Sequence, residues 1–68
     1  MGKSRFNKAK EILNEMLNKG YKDVGMPKLR GRIIQHIGGD ERTISSTIKM
    51  MLETKLIKDI GMFRFEIL

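Results

Sequence analysis

Sixty-eight residues suffice for one small domain, which buries only a modest share of its surface and needs a dense apolar core or a partner chain to be stable. With no cysteine and one histidine, the chain has no disulfide staple and no set of side chains for a Cys- or His-ligated metal. The net charge of +6 and a pI near 10.0 favour a polyanionic partner: DNA, RNA or an acidic membrane surface.

Ser4 precedes a helical pattern that runs from Arg5 to about Lys19. Phe6, Ala9, Leu13, Met16 and Leu17 recur at helical spacing, with Ile12 at the edge of the stripe and Lys8, Glu11, Glu15 and Asn18 opposite. Gly20 supplies the stop, because glycine tolerates the left-handed backbone at a helix C-terminus. The pattern predicts a scaffold helix packed on the rest of the domain; pairing with a second chain is the sharper alternative.

Residues 21–26 read as a short connector, with one extended pair near Gly25-Met26. Pro27 suits the first turn of a second helix, where its missing N–H costs nothing. That helix runs to about Ile37. Leu29, Ile33, Ile34 and Ile37 form its apolar face, and Lys28, Arg32 and Gln35 point away. Arg30 projects nearer the apolar side, placed to meet an acid from another element. His36, beside the same face, reads as a partly buried structural histidine. Residues 27–39 hold three basic residues and no acid, residues 1–26 six against three, and the remainder balances. The positive excess therefore precedes the third helix.

Gly38-Gly39 break the second helix and let the chain reverse. Asp40 is positioned to cap a third helix over about 41–54 with its carboxylate, and Glu41 suits the positive end of the helix dipole. Ile44, Ile48, Met51 and Leu52 make an inward stripe. Arg42, Ser46, Lys49 and Glu53 lie opposite, Ser45 and Met50 sit at the margins, and Thr43 and Thr47 flank the polar face. From Leu56 the period becomes alternating, which predicts a hairpin over about 56–67 with its loop near Ile60-Gly61-Met62. Phe63, Phe65 and Ile67 would point one way, Arg64 and Glu66 the other. A three-residue loop would pair Ile57 with Phe65; a two-residue loop would shift that register.

Several of these residues resemble the winged helix-turn-helix family. Asp40 and Thr43-Ile44 match the capping residue and Thr-hydrophobic pair that open the family's recognition helix. Leu56-Ile57 matches the entry to its first wing strand, with Lys55 standing where glycine is common. The segment GGDERTISSTIKMML is similar to small regulators of archaeal, plasmid or viral type. The resemblance spans about residues 5–68. It implies an α+β fold in a single domain over 1–68: three helices, then a C-terminal two-stranded wing, with the helix 41–54 in the major groove of double-stranded DNA.

On that reading Arg42, Ser45, Ser46 and Lys49 read bases. Arg42 can bond two guanine acceptors at once, and the serines allow close approach. Lys28, Arg32, Thr43, Lys58 and Arg64 contact phosphates, and Lys3, Arg5, Lys8 and Lys10 join them if the N-terminus lies near the duplex. The tip from Asp59 to Met62, acidic and apolar, is expected to touch a phosphate at most. The function implied is sequence-specific transcriptional regulation by a homodimer in the cytoplasm, on the nucleoid. Two alternatives stand beside it: a protein-interaction subunit of a transcription or replication assembly, and a non-specific nucleic-acid-binding protein. One histidine supports no Ser-His-Asp set and no Walker-type Gly-x-x-x-x-Gly-Lys occurs, so no enzyme activity, cofactor or metal is expected. No apolar run reaches the roughly 18 residues of a membrane span, and the N-terminus lacks a signal-peptide core.

Overall fold

The structure, a computed structural model, describes residues 4–68. Its elements are α1 (Arg5–Asn18), β1 (Asp23–Gly25), α2 (Met26–His36), α3 (Glu41–Glu53), β2 (Ile57–Gly61) and β3 (Arg64–Ile67). Three helices are thus followed by an antiparallel strand pair in a small α+β domain, an order compatible with the winged helix expected from the sequence. None of the described helices is long and apolar enough to cross a membrane.

α1 starts where Ser4 Oγ accepts the Asn7 backbone N–H at 3.2 Å, a cap whose loss costs about 1 kcal/mol. Its buried side is Ala9, Ile12, Leu13 and Met16. Ile12, expected at the edge of the stripe, is in the core, whereas Phe6 and Leu17 are exposed. The buried stripe is thus narrower than the spacing suggested: Met16 is in the core while Leu17 beside it is exposed.

α2 begins at Met26, one residue before Pro27, and buries Leu29 and Ile33. Ile34 remains half exposed and Ile37 half buried. His36 lies at the surface, its Nε2 3.7 Å from Glu15 Oε2 on α1, not in a partly buried niche. The reversal into α3 needs no left-handed backbone: Gly38 and Gly39 are absent from the positive-φ positions. Asp40 occupies the N-cap position of α3 in an extended conformation, but its side chain accepts no capping hydrogen bond.

α1 and α3 end in the same way. After α1, Gly20 N–H bonds Leu17 O and Tyr21 N–H bonds Met16 O; after α3, Lys55 N–H bonds Leu52 O and Leu56 N–H bonds Met51 O. Both are Schellman motifs, whose residue after the cap must be left-handed. Gly20 takes φ 93° there and Lys55 takes φ 61°. Lys55 therefore adopts a backbone that favours glycine, at a cost of about 1 kcal/mol.

The sheet has the order β1-β3-β2, antiparallel throughout. β1 falls close to the extended pair expected near Gly25-Met26 but covers Asp23–Gly25, with Met26 already in α2; it pairs Val24 with Phe65 on the outer side of β3. In the hairpin Ile57 pairs with Ile67, not with Phe65. A two-residue turn, Met62-Phe63, replaces the three-residue loop, and Ile60 is an extra residue bulged between Asp59 and Gly61. Phe65 and Ile67 enter the core, but Phe63 lies in the turn and faces solvent. The core thus joins Ile12, Leu13 and Met16 of α1, Leu29 and Ile33 of α2, Ile44, Ile48 and Met51 of α3, and Val24, Ile57, Phe65 and Ile67 of the sheet.

Candidate nucleic-acid interface

The core stripe of α3 decides which of its residues face outward. Ile44, Thr47, Ile48 and Met51 are buried, so Arg42, Ser45, Ser46 and Lys49 are left exposed on the opposite side. Thr47, expected to flank the polar face, is inside, and its hydroxyl donates to Thr43 O at 2.6 Å. Thr43 is half buried, its methyl 3.7 Å from where a Cβ on Gly38 would stand. It packs on the turn that precedes α3.

The four exposed residues are not equivalent. Arg42 has no ion-pair partner among the described residues, and Ser45 is exposed beside it. Lys49 lies 3.9 Å from Glu53 one turn on, an exposed pair of little strength. Ser46 is engaged on both sides: its Oγ accepts from Arg5 Nη1 at 2.7 Å and donates to Thr43 O at 3.2 Å. Arg5 comes from the first turn of α1, so that helix places a guanidinium against the outer face of α3. No local pattern links residues 41 positions apart, so this pairing has no signature in the sequence.

Glu41, the acid nearest the start of α3, is neutralised. Arg30 Nη1 lies 2.8 Å from its Oε1 and Nη2 2.8 Å from its Oε2, a bidentate pair. The hydrogen bond from Arg30 holds the Glu41 carboxyl below the usual range, and the same bond raises the Arg30 guanidinium. Arg30 is thus the α2 residue placed to meet an acid, and the acid is Glu41.

The expected phosphate contacts do not form one patch. Lys28 and Arg64 line one shallow pocket of about 360 Å³ at the start of α2, with Tyr21, Asp23, Val24, Gly25 and Pro27. Lys28 Nζ donates to Tyr21 Oη at 2.7 Å and sits 4.4 Å from the ring centroid. The hydrogen bond and charge of Lys28 lower the Tyr21 phenol from its ordinary value. Arg64 pairs with Asp23 across the strands, offsetting the like-charge Asp23–Glu66 neighbours. Its guanidinium has five donors, so a salt bridge leaves others free.

Arg32 belongs elsewhere. Its Nη1 donates to Gln35 at 3.3 Å and lies 3.9 Å from Glu15 of α1, where His36 also converges. Arg32 therefore joins α2 to α1. Lys58 is exposed on β2 and has no ion pair among the described residues. Lys8 and Lys10 lie on α1, Lys10 5.5 Å from the Phe6 ring centroid, and Lys3 lies outside the described residues. What the fold brings together is therefore an α3 face of Arg42, Ser45, Ser46 and Lys49 bordered by Arg5, and a cationic pocket of Lys28 and Arg64.

No known protein family, curated protein or solved structure matches this chain.

Proposed function

We propose that this chain is a winged helix-turn-helix protein that binds double-stranded DNA and regulates transcription, with α3 in the major groove. One observation carries the reading. The helix that follows the α2–α3 turn buries Ile44, Thr47, Ile48 and Met51 and presents Arg42, Ser45, Ser46 and Lys49 on the other side, with the acid of its first turn, Glu41, paired to Arg30. Small polar residues beside an arginine that has no ion pair among the described residues suit close approach to base edges. The sheet order β1-β3-β2, with the hairpin following α3, is compatible with a wing and supports the reading.

In this reading Arg5, Lys28 and Arg64 position the duplex through its phosphates, while Arg42, Ser45 and Lys49 read it. Arg42 bonds a guanine in the major groove. A module of this size covers few base pairs, so it acts as a homodimer on a two-fold site, in the cytoplasm, on the nucleoid.

Amide chemical-shift mapping with duplex DNA tests the interface. Shifts are expected in residues 41–49, at Arg5 and around Lys28 and Arg64. Shifts confined to the middle of α1, or none on α3, would contradict the reading and favour a non-specific coat or a protein-interaction module.

A further inference from the structure

Met62 and Phe63 form the turn between β2 and β3 with φ 55° and 57°. Two successive left-handed residues are the mark of a type I′ turn, which favours Asn-Gly. Large apolar residues are disfavoured in this conformation. The core does not account for them, because Met62 is 92% and Phe63 77% exposed. The turn itself is well held. Phe63 O accepts the Met26 N–H at 2.8 Å, and Asp59 Oδ1 accepts the Gly61 N–H at 2.8 Å. A fixed frame thus displays two large apolar side chains in a conformation that other residues would adopt more easily.

Strain retained where no contact inside the domain rewards it points to a contact outside. Two such side chains offer on the order of 300 Å², well under the roughly 800 Å² per partner of a stable protein pair. Their size suits a wedge into one base step, and Met and Phe are among the side chains that minor-groove proteins insert. The surroundings suit a phosphate backbone. Arg64 directly follows Phe63, and Lys28 lies two residues beyond Met26, which bonds the turn; both line the same pocket. Of the nearby acids, Asp23 is paired with Arg64 and Asp59 accepts the Gly61 N–H.

We propose that the Met62-Phe63 turn is an apolar wedge that enters the minor groove of duplex DNA and opens one base step, with Lys28 and Arg64 on the adjoining phosphate. The proposal rests on the DNA-binding reading above and gives the hairpin a base-contacting role. Such a wedge adds a preference for easily unstacked TA and CA steps to whatever α3 reads.

The test uses a duplex of about 20 base pairs with a central TA step, carrying 2-aminopurine at that step and a dye pair at its ends. It is titrated with the wild-type protein and with the Met62→Asn/Phe63→Gly double variant, at about 50 mM salt. The wild type is expected to brighten the 2-aminopurine and shorten the end-to-end distance. The variant, with a relaxed turn, is expected to melt at a higher temperature, bind on the order of tenfold more weakly, and leave the duplex stacked and straight. Wild-type binding without brightening or bending would overturn the wedge alone, as would a variant that binds and bends like the wild type. A variant that converts a dimer to a monomer would mark the turn as a contact between copies and also overturn it. Failure of the wild type to bind the duplex at all would overturn the DNA reading itself.

Discussion

Arg5 and Ser46 are joined by a 2.7 Å hydrogen bond that ties the first turn of α1 to the outer face of α3. Ser46 also donates to Thr43 O, so its hydroxyl is already committed within the domain. In the proposed reading this makes Ser46 the holder of Arg5 more than a reader of bases, and puts Arg5 on the face expected to meet the duplex.

Arg5→Ala is therefore expected to weaken binding to all duplexes and to lower the slope of log K against log salt by about one. Ser46→Ala should show a smaller loss of the same kind with the preferred sequence unchanged. Fluorescence anisotropy across a salt series measures both. A changed sequence preference in Ser46→Ala would show that Ser46 reads a base directly.

Arg42 and Lys28 should behave differently. Arg42→Ala is expected to cost about 1–3 kcal/mol at the preferred site and to relax its sequence preference. Lys28→Ala should weaken preferred and unrelated duplexes alike. Arg32→Ala should barely alter DNA affinity, because Arg32 is held against Glu15 and Gln35. Competition binding against unrelated duplex separates the three outcomes.

Lys55 holds φ 61° at the end of α3. Lys55→Gly removes the steric penalty of about 1 kcal/mol and, after roughly 0.5 kcal/mol for glycine's greater freedom in the unfolded chain, is expected to stabilise the domain by about 0.5 kcal/mol. Thermal melting reads this as a raised Tm. The equivalent Gly20→Ala change at the end of α1, where φ is 93°, should lower it.

The Arg30–Glu41 pair sets a pH dependence. The folded-state pKa of Glu41 is depressed by Arg30. Its contribution is therefore complete above the unfolded glutamate value of about 4.3 and is lost as pH falls through the lower folded value. Glu41→Gln should flatten the fall in Tm over that acidic window and leave the shape of the profile near neutrality unchanged. An acid limb as steep as that of the wild type would show that the pair does not contribute.

The helices were legible because each carries a long apolar stripe: Ala9, Leu13 and Met16, then Leu29 and Ile33, then Ile44, Ile48 and Met51. Their bounds fall within one residue of those expected. β1 was legible only as an extended pair near Gly25-Met26, since three residues with one apolar side chain have no period; the strand is defined by pairing Val24 with Phe65. The hairpin register was open for a related reason. Gly61 looked like the centre of the loop, yet its φ of 87° serves the bulge, and the turn falls on Met62-Phe63, which carry no turn signal. At the candidate site, the outward face of α3 could be read as the complement of its stripe. The diversion of Arg32 to Glu15, the use of Ser46 by Arg5 and the burial of Thr47 all depend on how helices distant in sequence pack together.

The central claim is that α3 reads DNA sequence. Selection of bound duplexes from a random library at about 150 mM salt, where exposed charge contacts are well screened, tests it most directly. The expected result is an enriched two-fold symmetric motif whose half-site spacing reports the dimer. Retention without enrichment, or no retention, would contradict the claim.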